Sequence, residues 1–370
     1  MICLNEKDFM LRAISIATRG TGNTSPNPLV GAVIVKNGKI IAEGYHEKYG
    51  ELHAERNAIK SAKESLEGAT MYVTLEPCCH YGKTPPCTEA IIENKIAKVV
   101  IGSRDPNEKV SGKGVRILKE AGIEVVEDFM KEECDKLNDV FFHYITTKRP
   151  YVVMKYAMTV DGKICTSSGE SKWITGEDSR EYVHYLRHKY KGIMVGRATV
   201  EKDNPMLNCR MENGVNPIRI ICDSNLKIDM NSNIVKTAKQ IETIIACIKG
   251  NNNIDGKKKL LENEGVKVIE VASKEGKIDL QELMEKLGEM KIDSILLEGG
   301  AELNFSAINQ KIVNKVLVFI APKLLGGKDA KSPISGKGIE KLSECVNLSQ
   351  PKITTFKEDI LIEYSVKKEA

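Results

Sequence analysis

Apolar positions recur along the chain with two periods. Asp8–Arg19 sets Phe9, Ile14, Ile16 and Ala17 at helical spacing, and the SPNP at 25–28 is a turn signal. Leu29–Val35 is an apolar run, Asn37-Gly38 marks a hairpin, and Lys39–Gly44 is its returning strand. The pattern then predicts a helix over His53–Glu64, a strand over Met71–Leu75 and a helix over Thr88–Lys95. A strand at Lys98–Gly102, a helix at Val115–Ala121 and a strand at Glu124–Val126 follow. Alternation of this kind predicts a layered α/β domain. Lys148-Arg149-Pro150 reads as a linker, because Pro150 biases Arg149 away from helix. It divides the chain into domains of 1–147 and 148–370. The second predicts strands at Tyr151–Tyr156, Gly192–Val195, Pro217–Cys222, Thr243–Ile248, Val266–Val271, Ser294–Leu297 and Lys315–Ile320. Helices at Ser179–Tyr190, Leu280–Leu287 and Glu302–Asn309 lie between them, so this half is α/β as well.

Composition narrows the class. The 370 residues are 41% hydrophobic and 29% charged, a globular mixture of two-domain length. A net charge of +4 over that length does not suggest a general nucleic-acid binder. No apolar run approaches a membrane span, and MICLNEKDF lacks the basic flank and apolar core of a signal peptide. The expectation is a soluble, cytoplasmic enzyme with reduced thiols. Ten cysteines are sparse for a disulfide scaffold, so clustered ones are first tested as metal ligands. Cys134, Cys165 and Cys247 stand apart and read as small core hydrophobes.

The cluster is His53-Ala54-Glu55, Glu76-Pro77-Cys78 and Pro85-Pro86-Cys87. One imidazole and two thiolates suit a single Zn²⁺ that keeps a fourth position for water. Zinc brings such a water to a pKa near 7, and an acid beside it must then carry protons. Glu55, two residues after His53, is placed to do so without being a ligand. An H-x-E followed by a P-C motif is the signature of zinc deaminases. Spacing alone leaves a second reading open, in which Cys79 and His80 help to close a purely structural site. Adjacent Cys78 and Cys79 are poorly disposed for joint chelation, so Cys79 is assigned to packing. Leu296–Gly300 follows an apolar strand and precedes a helix, a place where glycines let backbone approach an anion. No G-x-G-x-x-G occurs, so a standard Rossmann site is not supported.

SPNPLVGAVIV, GYHEKYGELHAE, YVTLEPCCHYGKTPPCTEAI and DPNEKVSGKG together resemble the bifunctional deaminase/reductase family of riboflavin biosynthesis. KYAMTVDGKI, SGESKWITG, ATVEKDNPMLNCR, LLEGG and IAPKLLGG are similar to its reductase half, in the same order. The resemblance covers nearly the whole chain. It implies a cytidine-deaminase-like three-layer domain followed by a dihydrofolate-reductase-like domain. By it, His53, Cys78 and Cys87 hold one zinc ion, Glu55 shuttles protons, and Asn27, His46, His80 and Lys83 contact the substrate. Lys83 suits a ribose 5-phosphate and Asn27 a pyrimidine edge.

The resemblance also implies NADPH, lined by Ala157, Trp173, Thr199, Asp203, Ser224 and Gly300. Ser171, Arg187, Leu207, Arg210 and Glu298 would face the sugar phosphate, with Lys155 and Asp161 orienting it. Arginines 187 and 210 are the residue type that grips phosphate with two hydrogen bonds. Thr175 and Asp178 are spaced as a capping box, which sets Arg187 on an ordered helix. Trp173, the one tryptophan, reads as a flat ring beside nicotinamide or as core packing. The implied chemistry is zinc-dependent deamination of a diaminopyrimidine phosphoribosylamine, then NADPH-dependent reduction of its ribosyl group to ribityl. The partners are small phosphoribosyl pyrimidines, and exposed strand edges offer a route to a homo-oligomer. A nucleic-acid or free-cytidine deaminase predicts stacking aromatics or a basic stripe; aromatics are 5% and no such stripe flanks the motif. A zinc-stabilised interaction protein has no use for Glu55.

Overall fold

The computed structural model describes residues 5–82, 84–107, 110–250 and 254–367. The chain forms two compact units, Met1–Lys148 and Arg149–Ala370. No helix among the described residues is long and apolar enough to cross a membrane.

The first unit runs α1 (Glu6–Ala17), β1 (Gly31–Lys36), β2 (Lys39–Tyr45), α2 (Ala54–Ser61), β3 (Thr70–Leu75), α3 (Cys87–Glu93), β4 (Lys98–Ser103), α4 (Lys113–Glu120), β5 (Glu124–Val126), α5 (Lys131–Leu137) and α6 (Asp139–Thr147). Its sheet has the order β2-β1-β3-β4-β5, with β1 antiparallel to β2 and β3 and the rest parallel. Alternate strand residues serve two cores. Val33, Val35, Tyr72 and Val100 pack with Phe9, Met10, Ala13 and Ile16 of α1. Ala32, Ile34, Met71, Val73, Val99 and Ile101 pack with Ala54, Ala58, Ile91, Val115 and Leu118 of α2, α3 and α4. Helices thus cover both faces, giving three layers. The first helix starts two residues before the predicted Asp8, because Asn5 and Asp8 form a reciprocal capping box. Gly44 permits a close approach: a Cβ there would lie 2.2 Å from the Ala58 nitrogen. Helix α2 therefore lies directly on β2, with His53 as its N-cap rather than in its first turn.

The second unit runs β6 (Tyr151–Thr159), α7 (Glu177–Lys189), β7 (Gly192–Gly196), α8 (Arg197–Asp203), β8 (Ile218–Cys222), α9 (Asn233–Lys236), β9 (Thr243–Ile248), α10 (Asp255–Asn263) and β10 (Val266–Val271). It continues through β11 (Ser273–Lys274), β12 (Lys277–Ile278), α11 (Leu280–Glu289), β13 (Ser294–Leu297), α12 (Ala301–Asn309), β14 (Val313–Ala321), β15 (Lys352–Phe356) and β16 (Asp359–Ser365). Nine strands form one sheet in the order β10-β9-β8-β7-β13-β6-β14-β16-β15. The seven from β10 to β14 are parallel, and the β16–β15 hairpin adds an antiparallel edge. Parallel strands buried on both faces read as continuous apolar runs, which is why their positions follow from the sequence. Met154, Met194, Ile220 and Leu297 pack with Leu283 and Leu287 of α11 and Ala307 of α12. Ile193, Val195, Ile221 and Ile245 pack with Ile234, Val235 and Leu261 on the other face.

One local expectation is corrected. Thr175 and Asp178 form no capping box: the N-cap of α7 is Gly176, without a side-chain cap of its own. The buried Asp359 carboxylate, brought by β16, instead accepts from Gly176 N at 2.7 Å and Ser179 Oγ at 2.6 Å. Asp178 pairs with Lys357 at 2.6 Å.

Candidate active sites

In the first unit the N-terminus of α2, the loop after β3 and the first turn of α3 converge. His53 Nδ1 lies 3.4 Å from Cys78 Sγ and 3.5 Å from Cys87 Sγ. All three donor atoms fall within 4.8 Å of one another, close enough to share one ion. Cys79 is not part of this group. Cys87 N–H points at Cys78 Sγ at 3.4 Å, and Thr88 N–H donates to the Cys78 carbonyl at 3.2 Å. The Cys87 thiol and then His53, through their hydrogen bonds, pull the Cys78 thiol down to about 4 against the effect of burial. Cys87 moves the opposite way, because it hydrogen-bonds to Cys78 and is itself buried. Two adjacent sulfurs cannot both carry charge cheaply without a cation, and His with two Cys is a borderline-soft donor set that suits zinc.

Glu55 is 3% exposed. Burial, then the charge of Cys78, raises its carboxyl to about 7, where it can both take and release a proton at neutral pH. It opens onto a cavity of about 330 Å³ that Asn27, His46, His53, Cys78 and His80 also line. His46 Nδ1 donates to the Leu52 carbonyl at 3.0 Å, which leaves Nε2 as an acceptor for the Asn27 amide at 3.1 Å. Burial lowers the His46 pKa, consistent with that neutral tautomer. The amide oxygen of Asn27 is then free to accept. His80 Nδ1 is buried without a protein partner. Lys83 lies outside the described residues. Arg56 escaped the sequence reading: it donates to the carbonyls of Pro85 at 3.0 Å and Pro86 at 2.7 Å, tying the Cys87 loop to α2. Its place next to Glu55 was the only available signal.

In the second unit the carboxyl ends of β8, β7 and β13 open onto a cleft of about 940 Å³. Ser171, Thr199, Asp203, Ser224, Glu298 and Gly300 line it. A Cβ on Gly300 would sit 3.4 Å from Thr199 Oγ1, so the bare glycine keeps this wall open. Glu298 takes two hydrogen bonds from Arg187, both at 2.9 Å, and Arg187 also donates to the Asn208 carbonyl at 3.2 Å. Burial alone would raise Glu298; Arg187 and Lys155 outweigh it and hold the carboxyl at about 2. Lys155 is itself pushed down by burial, with Glu298 opposing. Arg187 is thus committed to a carboxylate rather than poised alone on a helix surface.

Arg210 Nε donates to His184 Nε2 at 2.9 Å, and burial followed by Arg187 and Arg210 keeps that imidazole neutral, near pKa 4. His184, three residues before Arg187 on the same helical face, was also missed. Leu207 is buried at φ 49°. Ala157, Lys155, Trp173, Leu207 and Arg210 do not line the cleft. Trp173 is 60% exposed, so it is not core, and the Arg180 guanidinium covers its ring at 4.8 Å. Asp161 accepts from Thr159 Oγ1 at 2.5 Å and Gly326 N at 2.6 Å, joining the loop after β6 to the loop after β14.

Comparison with known proteins places each unit in a family. Residues 4–103 match the cytidine and deoxycytidylate deaminase zinc-binding region, and residues 150–362 match the RibD C-terminal domain. The riboflavin biosynthesis protein RibD of Actinobacillus pleuropneumoniae is 56% identical over 98% of this chain and 96% of its own length. RibD of Aquifex aeolicus is 41% identical over 96% of this chain and 97% of its own. The crystal structure of a diaminohydroxyphosphoribosylaminopyrimidine deaminase/5-amino-6-(5-phosphoribosylamino)uracil reductase from Thermotoga maritima superimposes with a TM-score of 0.86 at 39% identity, covering 97% of this chain and 98% of that one. The chain therefore belongs to the RibD family, the enzymes of riboflavin biosynthesis that unite a deaminase with a reductase.

Proposed function

We propose that residues 1–147 hydrolytically deaminate 2,5-diamino-6-(5-phosphoribosylamino)pyrimidin-4(3H)-one. Residues 148–370 then reduce the ribosyl group of 5-amino-6-(5-phosphoribosylamino)uracil to ribityl. The observation that carries this reading is a three-donor cluster able to hold a metal, with a buried acid beside it, and a cavity onto which His53, Cys78 and Glu55 open. His53, Cys78 and Cys87 hold zinc, which when bound lowers the pKa of a water to about 7. Glu55 accepts one proton from the attacking water and passes it to the ring nitrogen; it then takes the second proton, from the newly added hydroxyl, and gives it to the amine, which leaves as ammonia as the C–N bond breaks and the carbonyl forms. The neutral His46 fixes the Asn27 amide, whose oxygen accepts from the pyrimidine, and the unpartnered His80 nitrogen adds a further polar contact.

In the second unit Thr199, Asp203, Ser224 and Gly300, which line the cleft, would hold NADPH, which supplies a hydride for the sugar C1′. The start of α12 at Gly300 suits a cofactor phosphate. Ser171 and Arg210 bind the sugar phosphate, while the Arg187–Glu298 pair and Lys155 orient it. No side chain needs to become covalently attached; orientation does most of the work. The test is one coupled assay on purified, zinc-loaded protein that follows ammonia and NADPH absorbance. Glu55→Gln should abolish ammonia release yet oxidise NADPH normally when given the deaminated substrate. Absence of ammonia with the unmodified enzyme, or loss of both activities in the variant, would refute it.

A further inference from the structure

Residues 112–114, the end of the DPNEKVSGKG motif, have no part in the chemistry above, yet they pack against the loop that carries Cys78. Glu76, between β3 and Cys78, extends the sheet by donating its N–H to the Ser103 carbonyl at 2.9 Å. It is 3% exposed, and its side chain reaches the start of α4, although the residue also borders the cavity. There one carboxylate oxygen accepts from Gly112 N at 3.0 Å and the other from Val115 N at 3.4 Å. The two amides belong to the N-cap and first turn of α4, where a carboxylate is favoured. Gly112 is the N-cap at φ 74°, a conformation that favours glycine. Gly114 permits the contact on the other side: a Cβ there would lie 2.3 Å from the Pro77 carbonyl oxygen and 3.3 Å from Glu76 Oε1. That carbonyl belongs to the peptide that leads into Cys78. The first turn of α4 is therefore pressed against the backbone of a metal ligand and held there by an acid two residues upstream of it.

We infer that Glu76 is a positioning residue for the metal centre, clamping α4 onto the Pro77 carbonyl and so fixing where Cys78 presents its sulfur. The spacing of Gly112 and Gly114 follows from this role: one makes the cap, the other leaves room for the carbonyl. The inference rests on the zinc reading. Groups that orient a ligand are worth about ten- to a hundredfold in metal affinity.

The test compares the full chain with Gly114→Ala and Glu76→Gln. Zinc affinity is measured by competition with a chromophoric chelator, and coordination geometry by the absorption of the cobalt-substituted protein. Both variants should weaken zinc binding by about tenfold or more and shift the cobalt–thiolate bands. Glu76→Asp, which keeps the charge, should fall between them and the parent. NADPH oxidation with the deaminated substrate should be unchanged throughout. Zinc affinity within about twofold of the parent and an unaltered cobalt spectrum would overturn the inference, even if the thermal midpoint dropped. Should Gly114→Ala fail to fold, the near-isosteric Glu76→Gln decides. Failure of the parent chain to bind zinc would instead overturn the zinc reading itself, and it would show before any variant is made.

Discussion

Arg187→Met tests how the second site is held together. The Arg187 and Glu298 side chains are 16% and 12% exposed, so solvent screens their two hydrogen bonds little. Removing the guanidinium strands a carboxylate in the interior, a change that typically costs about 3–5 kcal/mol. The same contact sets an expected pH dependence. Glu298 falls from 4.5 to about 2 in the folded chain. A depressed carboxylate stabilises the fold above its unfolded pKa and loses that contribution as pH falls through the folded one. The shift corresponds to roughly 3 kcal/mol, present above about pH 5 and gone near pH 2. Urea unfolding at a series of pH values, followed by the fluorescence of the single Trp173, reads this unit alone. Unmodified protein should lose stability more steeply between pH 5 and 2 than Glu298→Gln. Arg187→Met should unfold at markedly lower urea at pH 7, and Arg187→Met with Glu298→Leu should recover part of the loss. A loss below about 1 kcal/mol in the single variant, or identical pH slopes with and without the carboxylate, would refute the assignment.

Arg219, fully buried, donates to the carbonyls of Met206, Ile234 and Ile241 and the hydroxyls of Thr237 and Thr243. Arg219→Met strands these acceptors and should destabilise the second unit by about 3 kcal/mol or more in the same urea assay. Asp359→Ala removes the shared acceptor at the start of α7 and should cost about 1–2 kcal/mol, with a higher KM for the reductase substrate. Arg56→Ala frees the Pro85–Pro86 loop; it should lower zinc occupancy, measured by atomic absorption, and leave NADPH oxidation intact. A chelator that strips the metal should stop ammonia release alone.

What could be read from the sequence depended on whether a signal was local. The parallel strands are buried on both faces, and runs such as Ser294–Leu297 declare themselves as apolar segments. The candidate metal ligands share a motif within 35 residues of chain, from His53 to Cys87. Helices α5 and α8 are seven residues each and mostly polar, too short to show a period. The β15–β16 hairpin sits at the sheet edge with Ile353 and Ile360 exposed and only Asp359 and Leu361 buried, one of them charged, so no apolar stripe marks it. Arg187 and Glu298 stand 111 residues apart, and only the fold discloses that they are partners. The cap of α7 misled for the same reason: Thr175 and Asp178 offered a nearby answer, while the true acceptor, Asp359, lies 183 residues beyond Gly176.

That distant acceptor gives the two sites different birth dates on the ribosome. His53, Glu55, Cys78 and Cys87 all precede the second unit in the chain, so the first unit can bring them together while synthesis continues. Helix α7, which carries Arg187 and His184, must wait for β16 before its leading turn is satisfied. One catalyst is finished early in translation, and the other only as its last strand leaves the exit tunnel.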